Sequence, residues 1–113
     1  MNVEYYNMDF VNYFIFNIII SDIKNWKLFY EDVRNNAHEL YSNNNPFCRI
    51  GSIRIIKYND QTNTLNCEIS IRSNIDIDTT KKHIISLLTP QYNLKISSIS
   101  QFDKGKCIVT QNY

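Results

Sequence analysis

Phe47-Cys48-Arg49-Ile50-Gly51-Ser52-Ile53-Arg54-Ile55-Ile56-Lys57-Tyr58 and Leu65-Asn66-Cys67-Glu68-Ile69-Ser70-Ile71-Arg72 are two runs rich in β-branched residues, separated by the polar stretch Asn59-Asp60-Gln61-Thr62-Asn63-Thr64. Two such runs joined by a polar turn predict a β-hairpin. In the second run Leu65, Cys67, Ile69 and Ile71 share one face, and Asn66, Glu68, Ser70 and Arg72 share the other. That alternation is the pattern of a sheet with one face buried and one wet. The first run is less regular: Ile53 and Ile55 are out of phase with Ile50 and Ile56, which predicts a bulge near Gly51 or Ser52.

Working outward, Ser21 and Asp22 offer N-caps for a helix in which Ile23, Trp26, Phe29, Tyr30, Val33, Ala37, Leu40 and Tyr41 recur at three- and four-residue steps. Pro46 closes that segment. Before it, Val11 to Ile20 alternates as a strand, with Phe14, Phe16, Ile18 and Ile20 on one face and Tyr13, Ile15, Asn17 and Ile19 on the other. Both faces are mostly apolar, the mark of a strand in the middle of a sheet. Beyond the hairpin, Asp76 or Asp78 caps a short helix from Thr79 to Leu88, ended by Pro90. Leu94 to Phe102 reads as a further strand, Asp103-Lys104-Gly105-Lys106 as a turn, and Cys107 to Thr110 as a short return.

The order β-α-β-β-α-β, with right-handed crossovers, predicts a single α+β domain over residues 1–113. Its expected fold is a ferredoxin-like split βαβ sandwich, an antiparallel four-stranded sheet with two helices on one face and a final hairpin extending one edge. A length of 113 residues allows one core and no second domain. The fold hosts unrelated functions and by itself selects none.

A net charge of +1 gives no sequence-wide signal for nucleic acid or an acidic membrane. The skew toward Asn, Ile and Tyr is what coding pressure in an AT-rich genome produces, a bacterium, virus or mobile element included. Cys48, Cys67 and Cys107 form no metal spacing and each lies in an apolar run, so buried free thiols and a reducing, cytoplasmic setting are expected. Glu4 and Asp9 do not suit a signal peptide, and the apolar run from Phe10 to Ile20 is too short and interrupted for a membrane span.

The search for chemistry leaves little. His38 and His83 have no ligand partner at a metal spacing, and no local motif makes any of the three cysteines a nucleophile. Gly51 and Gly105 are the only glycines, so no Gly-rich phosphate loop exists. No cofactor, metal or catalytic residue is expected, and the sequence is read as non-enzymatic.

A binding module is the reading that remains, of the kind found in small inhibitor, immunity or assembly proteins. Tyr13, Ile15 and Ile19 form an apolar second face on the first strand that needs a cover, with Arg72 at its margin. A protein partner, a second copy or the Cys107 to Tyr113 tail folding back would supply it. The alternative follows from a resemblance of topology to the RNA-recognition motif, in which aromatics on the open sheet face read bases. Here the second hairpin strand offers none, and Arg49, Arg54, Lys57 and Arg72 would be the nucleic-acid contacts. The span from Tyr13 to Arg72, with Trp26-Lys27-Leu28-Phe29 opening its helix, also resembles the soluble ferredoxin-like domains of type IV pilus and type II secretion alignment proteins, which normally carry a membrane anchor.

Overall fold

The computed structural model describes residues 12–42, 48–88 and 91–113, the side chains of 36–42 excepted. Its elements run β1 (Asn12–Ser21), α1 (Trp26–Ser42), β2 (Cys48–Asn59), β3 (Thr64–Ser73), α2 (Ile77–Leu88), β4 (Asn93–Asp103) and β5 (Lys106–Asn112). All five strands join one antiparallel sheet in the order β2-β3-β1-β4-β5.

This corrects the expected ferredoxin-like α+β sandwich of four strands. The sheet has five strands, of 10, 12, 10, 11 and 7 residues, and they outweigh helices of 17 and 12 residues. The cause lies in the last hairpin. Lys104 (φ 51°) and Gly105 (φ 81°) both adopt left-handed backbone, the two-residue geometry that matches strand twist, and a full strand therefore returns beside β4. β4 becomes an interior strand and β5 the sheet edge.

β1 sits at the centre, paired with β3 on one side and β4 on the other. Its even-numbered residues Phe14, Phe16, Ile18 and Ile20 are buried, and they share one core cluster with Phe29 and Val33 of α1 and Ile84 and Leu88 of α2. The helices therefore cover that face. Leu65, Cys67, Ile69 and Ile71 of β3, Ile96 and Ile99 of β4, Cys48 and Ile50 of β2 and Ile23 before α1 complete the cluster, while Trp26 lies at its margin. The side chain of Leu40, which the helical period places on the apolar stripe of α1, lies outside the described residues.

Register shifts keep the neighbours in phase with β1. In β2 one falls at Gly51, as the hydrophobic phase predicts, and a second at Ile56. A Cβ at Gly51 would meet Ser70 Oγ at 2.9 Å, so the bare backbone suits that bulge. In β4 the extra residue is Ser97, between Ile96 opposite Ile18 and Ser98 opposite Asn17.

The start of α1 differs from expectation. Asp22 has a φ of 58° and ends the β1 chain direction, and the capping oxygen is Asn25 Oδ1, which accepts from the Lys27 N–H at 3.1 Å. At α2 the cap is Asp76. Hydrogen bonds from the Thr79 side chain, and then from backbone amides, hold its carboxyl below its ordinary value.

Ile69 is fully buried whereas Ile56 is 44% exposed. Ile69→Ala should therefore lower stability by about 2–5 kcal/mol and Ile56→Ala by less than about 0.5 kcal/mol. Urea denaturation of both variants checks this, and equal midpoints would place Ile69 outside the core.

Candidate interaction surface

The face opposite the helices is built from rows of residues that the strand registers align. Arg49, Arg72, Tyr13 and Phe102 occupy one row across β2, β3, β1 and β4. Ser52, Ser70, Ile15, Ser100 and Thr110 form the next, followed by Arg54, Glu68, Asn17, Ser98 and Asn112, and then by Lys57, Asn66, Ile19 and Lys95. At about 4.8 Å per strand, the first row spans about 14 Å from Arg49 to Phe102.

Each row has its own chemistry. In the first, the Arg72 guanidinium lies 5.2 Å from the Tyr13 ring centre, and Tyr13 meets Phe102 edge to face at 6.0 Å. A cation over an aromatic face, with a second ring set edge-on beside it, makes a partly apolar platform. The second row is hydroxylic, with Ser52 Oγ 2.8 Å from Ser70 Oγ and Ser100 Oγ 2.9 Å from Thr110 Oγ1, and Ile15 between them. In the third, Arg54 Nη2 donates to Glu68 Oε1 at 3.2 Å and Asn17 Nδ2 donates to Ser98 Oγ at 3.3 Å. The Arg54 side chain is 71% exposed, so this ion pair contributes at most about 1 kcal/mol.

Every residue singled out from the sequence as protein-binding, Tyr13, Ile15, Ile19 and Arg72, lies on this one face, and so do Arg49, Arg54 and Lys57. The two expected sites are thus one surface. Tyr13, Ile15 and Ile19 are each half-buried, forming a mostly apolar column that Asn17 interrupts, with polar and cationic strands on both sides. Among the described strand residues, Arg49, Arg54, Lys57, Arg72 and Lys95 oppose the single carboxylate Glu68 on this face. The net charge of the whole chain conceals that local excess.

Lys95 and Phe102 escaped the sequence reading. Uninterrupted alternation would put Phe102 on the same face as Leu94 and Ile96, but the bulge at Ser97 sends Ile99 to the core and Phe102 to the open face. The three-residue spacing of Ile96 and Ile99 within one strand was the available signal.

Two further polar groupings lie away from this face. Ser73 Oγ lies 3.0 Å from Thr80 Oγ1 and 3.3 Å from Cys48 Sγ, and it accepts from the Ile75 N–H at 3.0 Å. An open cleft of ≈ 660 Å³ beside the α1 start is lined by residues including Asp22, Asp32 and Tyr92, and the Tyr92 hydroxyl donates to Asp32 Oδ2. His83 is half-buried on α2, and the side chain of His38 lies outside the described residues. Among the described residues, no three His, Cys, Asp or Glu side chains are grouped to hold a metal, and no helix is long and apolar enough to cross a membrane.

The cysteines divide, against the expectation that all three are buried. Cys48 and Cys67 are buried, but Cys107 on the edge strand is exposed. Burial raises the Cys48 thiol against the hydrogen bonds from Ser73 and Thr80. Burial, with the Glu68 carboxylate adding to it, pushes Cys67 up to about 12.

No protein-family model matches the chain, and no curated protein matches it.

The thiolate is the reactive form of cysteine, so one thiol should react quickly with an alkylating reagent in the native protein and two only on unfolding. Mass spectrometry should place the fast label on Cys107. A fast label on Cys67 would contradict its burial. Tyr92 carries a second expectation, because burial and then the Asp32 hydrogen bond push its hydroxyl up to about 12 from an ordinary 10. A raised folded-state value gives stability that is complete below the unfolded value and is lost as pH rises from about 10 through about 12. Thermal denaturation across that range should show the loss in the wild type and less of it in Tyr92→Phe.

Proposed function

We propose that this protein is a non-enzymatic binding module that engages a protein partner through the open face of its sheet. The observation that carries the reading is the apolar column Tyr13, Ile15 and Ile19, extended by Phe102 and bordered by five cations against one carboxylate. An apolar centre with a charged margin is the anatomy of a protein interface. The sign of the margin favours a partner with an acidic rim, since complementary potential speeds encounter and rejects other surfaces. Free cysteines, one of them exposed, favour a reducing cytoplasmic setting for that encounter.

A second reading is favoured by one observation. The Arg72 guanidinium over Tyr13, with Phe102 alongside, combines cation and stacking ring on strands next to each other, as single-stranded nucleic-acid surfaces do. The remaining cations would then follow the phosphates.

Two variants separate the readings. Ile15→Lys places a charge in the apolar column and should abolish retention of the partner by the immobilised domain, with the far-ultraviolet dichroism of the wild type preserved. Arg54→Ala with Arg72→Ala should instead remove salt-sensitive binding of an oligo(dT) or oligo(U) probe if the surface serves nucleic acid. Partner retention by folded Ile15→Lys equal to that of the wild type sinks the protein-binding reading. Unfolding of Ile15→Lys would show that the column is internal core.

A further inference from the structure

The two edges of the sheet are built differently. β2 carries Arg49, Arg54 and Lys57 and is broken by register shifts at Gly51 and Ile56, devices that prevent an edge from accepting another strand. β5 has one charged residue, Lys106, and all seven of its residues are exposed. Among the described residues no strand lies beyond it. Its single irregularity leaves Ile108 as the extra residue, between Val109 opposite Gln101 and Cys107 opposite Phe102. Past that point, Val109-Thr110-Gln111-Asn112-Tyr113 is an unbroken and uncharged stretch.

One hydrogen bond sets the phase of this edge. The Tyr113 N–H donates to the Ser97 carbonyl of β4 at 2.9 Å. Antiparallel ladders alternate between residues whose backbone groups turn toward one neighbour and residues whose groups turn away. Val109, Gln111 and Tyr113 therefore turn inward to β4, and Thr110 and Asn112 present their N–H and C=O groups to the outside. The Thr110 side chain is held on the open face by Ser100. Val109 and Tyr113 project on the helix side, where the Lys81 ammonium lies 3.6 Å from the Tyr113 ring centre, and they remain 41% and 44% exposed.

We propose that the β5 edge is a homodimer interface, in which β5 pairs antiparallel with β5 of a second copy about a twofold axis at Gln111. This surface is distinct from the open face and the inference goes beyond the binding function proposed for it. The register follows from the phase, because outward-facing residues must meet outward-facing residues. Thr110 of each copy then bonds Asn112 of the other, and Val109 of each faces Tyr113 of the other, a β-branched residue against an aromatic one. Gln111 faces its counterpart across the axis. Centring the axis on Thr110 instead would bring the bulged Ile108 into the ladder. The occupant is a second copy because the stretch is its own complement: it satisfies both outward residues, covers both exposed apolar side chains and opposes no like charges.

Sedimentation equilibrium of the full chain tests the proposal. The wild type should reach twice its 13.4 kDa mass as concentration rises. Gln111→Lys and Gln111→Asp should each be monomeric, because each sets like charges face to face on the axis, and an equimolar mixture of the two should recover the dimer. Thr110→Pro, which removes an outward N–H and no backbone bond to β4, should also lose the dimer, whereas Thr110→Ala, which lacks the same side-chain bond to Ser100 but keeps the N–H, should retain it. Ile15→Lys should keep it. A wild type that stays monomeric, a folded charged variant that dimerises like the wild type, a mixture that stays monomeric, or a dimer that survives Thr110→Pro would each overturn the assignment.

Discussion

β1 is hydrogen-bonded along both edges, to β3 and to β4, and that double pairing constrains everything around it. Side chains of a strand alternate, so a slip of one residue would carry Phe14, Phe16, Ile18 and Ile20 from the core to the open face. Burial of each contributes about 1.5–3 kcal/mol, and together they exceed what any local rearrangement could restore. β1 and β3 pair without a register shift, whereas β2 and β4 each absorb extra residues at Gly51, Ile56 and Ser97. The bulges adapt β2 and β4 to the unshifted β1–β3 pair. Among Arg72, Tyr13 and Phe102, only Phe102 owes its place on the open face to such an adjustment, the bulge at Ser97.

The connections are tied to the same frame by polar contacts at the two ends of the sheet. At one end, the Tyr58 hydroxyl donates to the Ile23 carbonyl at 2.7 Å and the Ile23 N–H donates to the Asn63 carbonyl at 2.9 Å. These bonds fasten the entry to α1 onto the tip of the β2–β3 hairpin. At the other end Ser73 joins β3 to α2 through Thr80, and the Thr80 hydroxyl donates to the Asp76 carbonyl at 2.8 Å. Among the described residues no buried side-chain nitrogen or oxygen lacks a hydrogen-bond partner, the condition for burying hydroxyls as deeply as Ser73 and Thr80. The scaffold is therefore fixed at both ends, and the exposed rows of the sheet are left as the adaptable part.

Much of this was legible because it depends on local alternation. The two faces of β1, the buried face of β3 and the bulge at Gly51 follow from which residues are apolar at which spacing. The fifth strand was underestimated because Lys106 to Asn112 buries nothing, and a strand exposed on every residue leaves no hydrophobic phase to read. Cys107 was placed in a core for the same reason: in sequence Ile108 and Val109 beside it look like burial, but on an edge they are surface. Asn25 caps α1 in place of Ser21 or Asp22, because all three residue types cap well and only the left-handed turn at Asp22 moves the helix start beyond it. The cationic character of the open face was hidden because it depends on pairing across strands, and Lys95 joins Lys57 only through the β1 and β3 registers.

The open face and the β5 edge are geometrically coupled. A twofold axis that pairs two edge strands within one continuous sheet stands perpendicular to that sheet, so the open faces of both copies point the same way. From β1 to β5 is two strand spacings in each copy, and the paired edges add one more, five in all. The two Tyr13-Ile15-Ile19 columns of the proposed dimer would then lie about 24 Å apart across the strands, before twist is counted. Two identical weak surfaces held at a fixed separation favour a partner that repeats with a similar spacing, since the second contact forms at high effective concentration. A monomer with the same open face gains no such discrimination. In the proposed dimer the β5 edge and the cationic face would act on one property, because edge pairing would fix the spacing between the two faces.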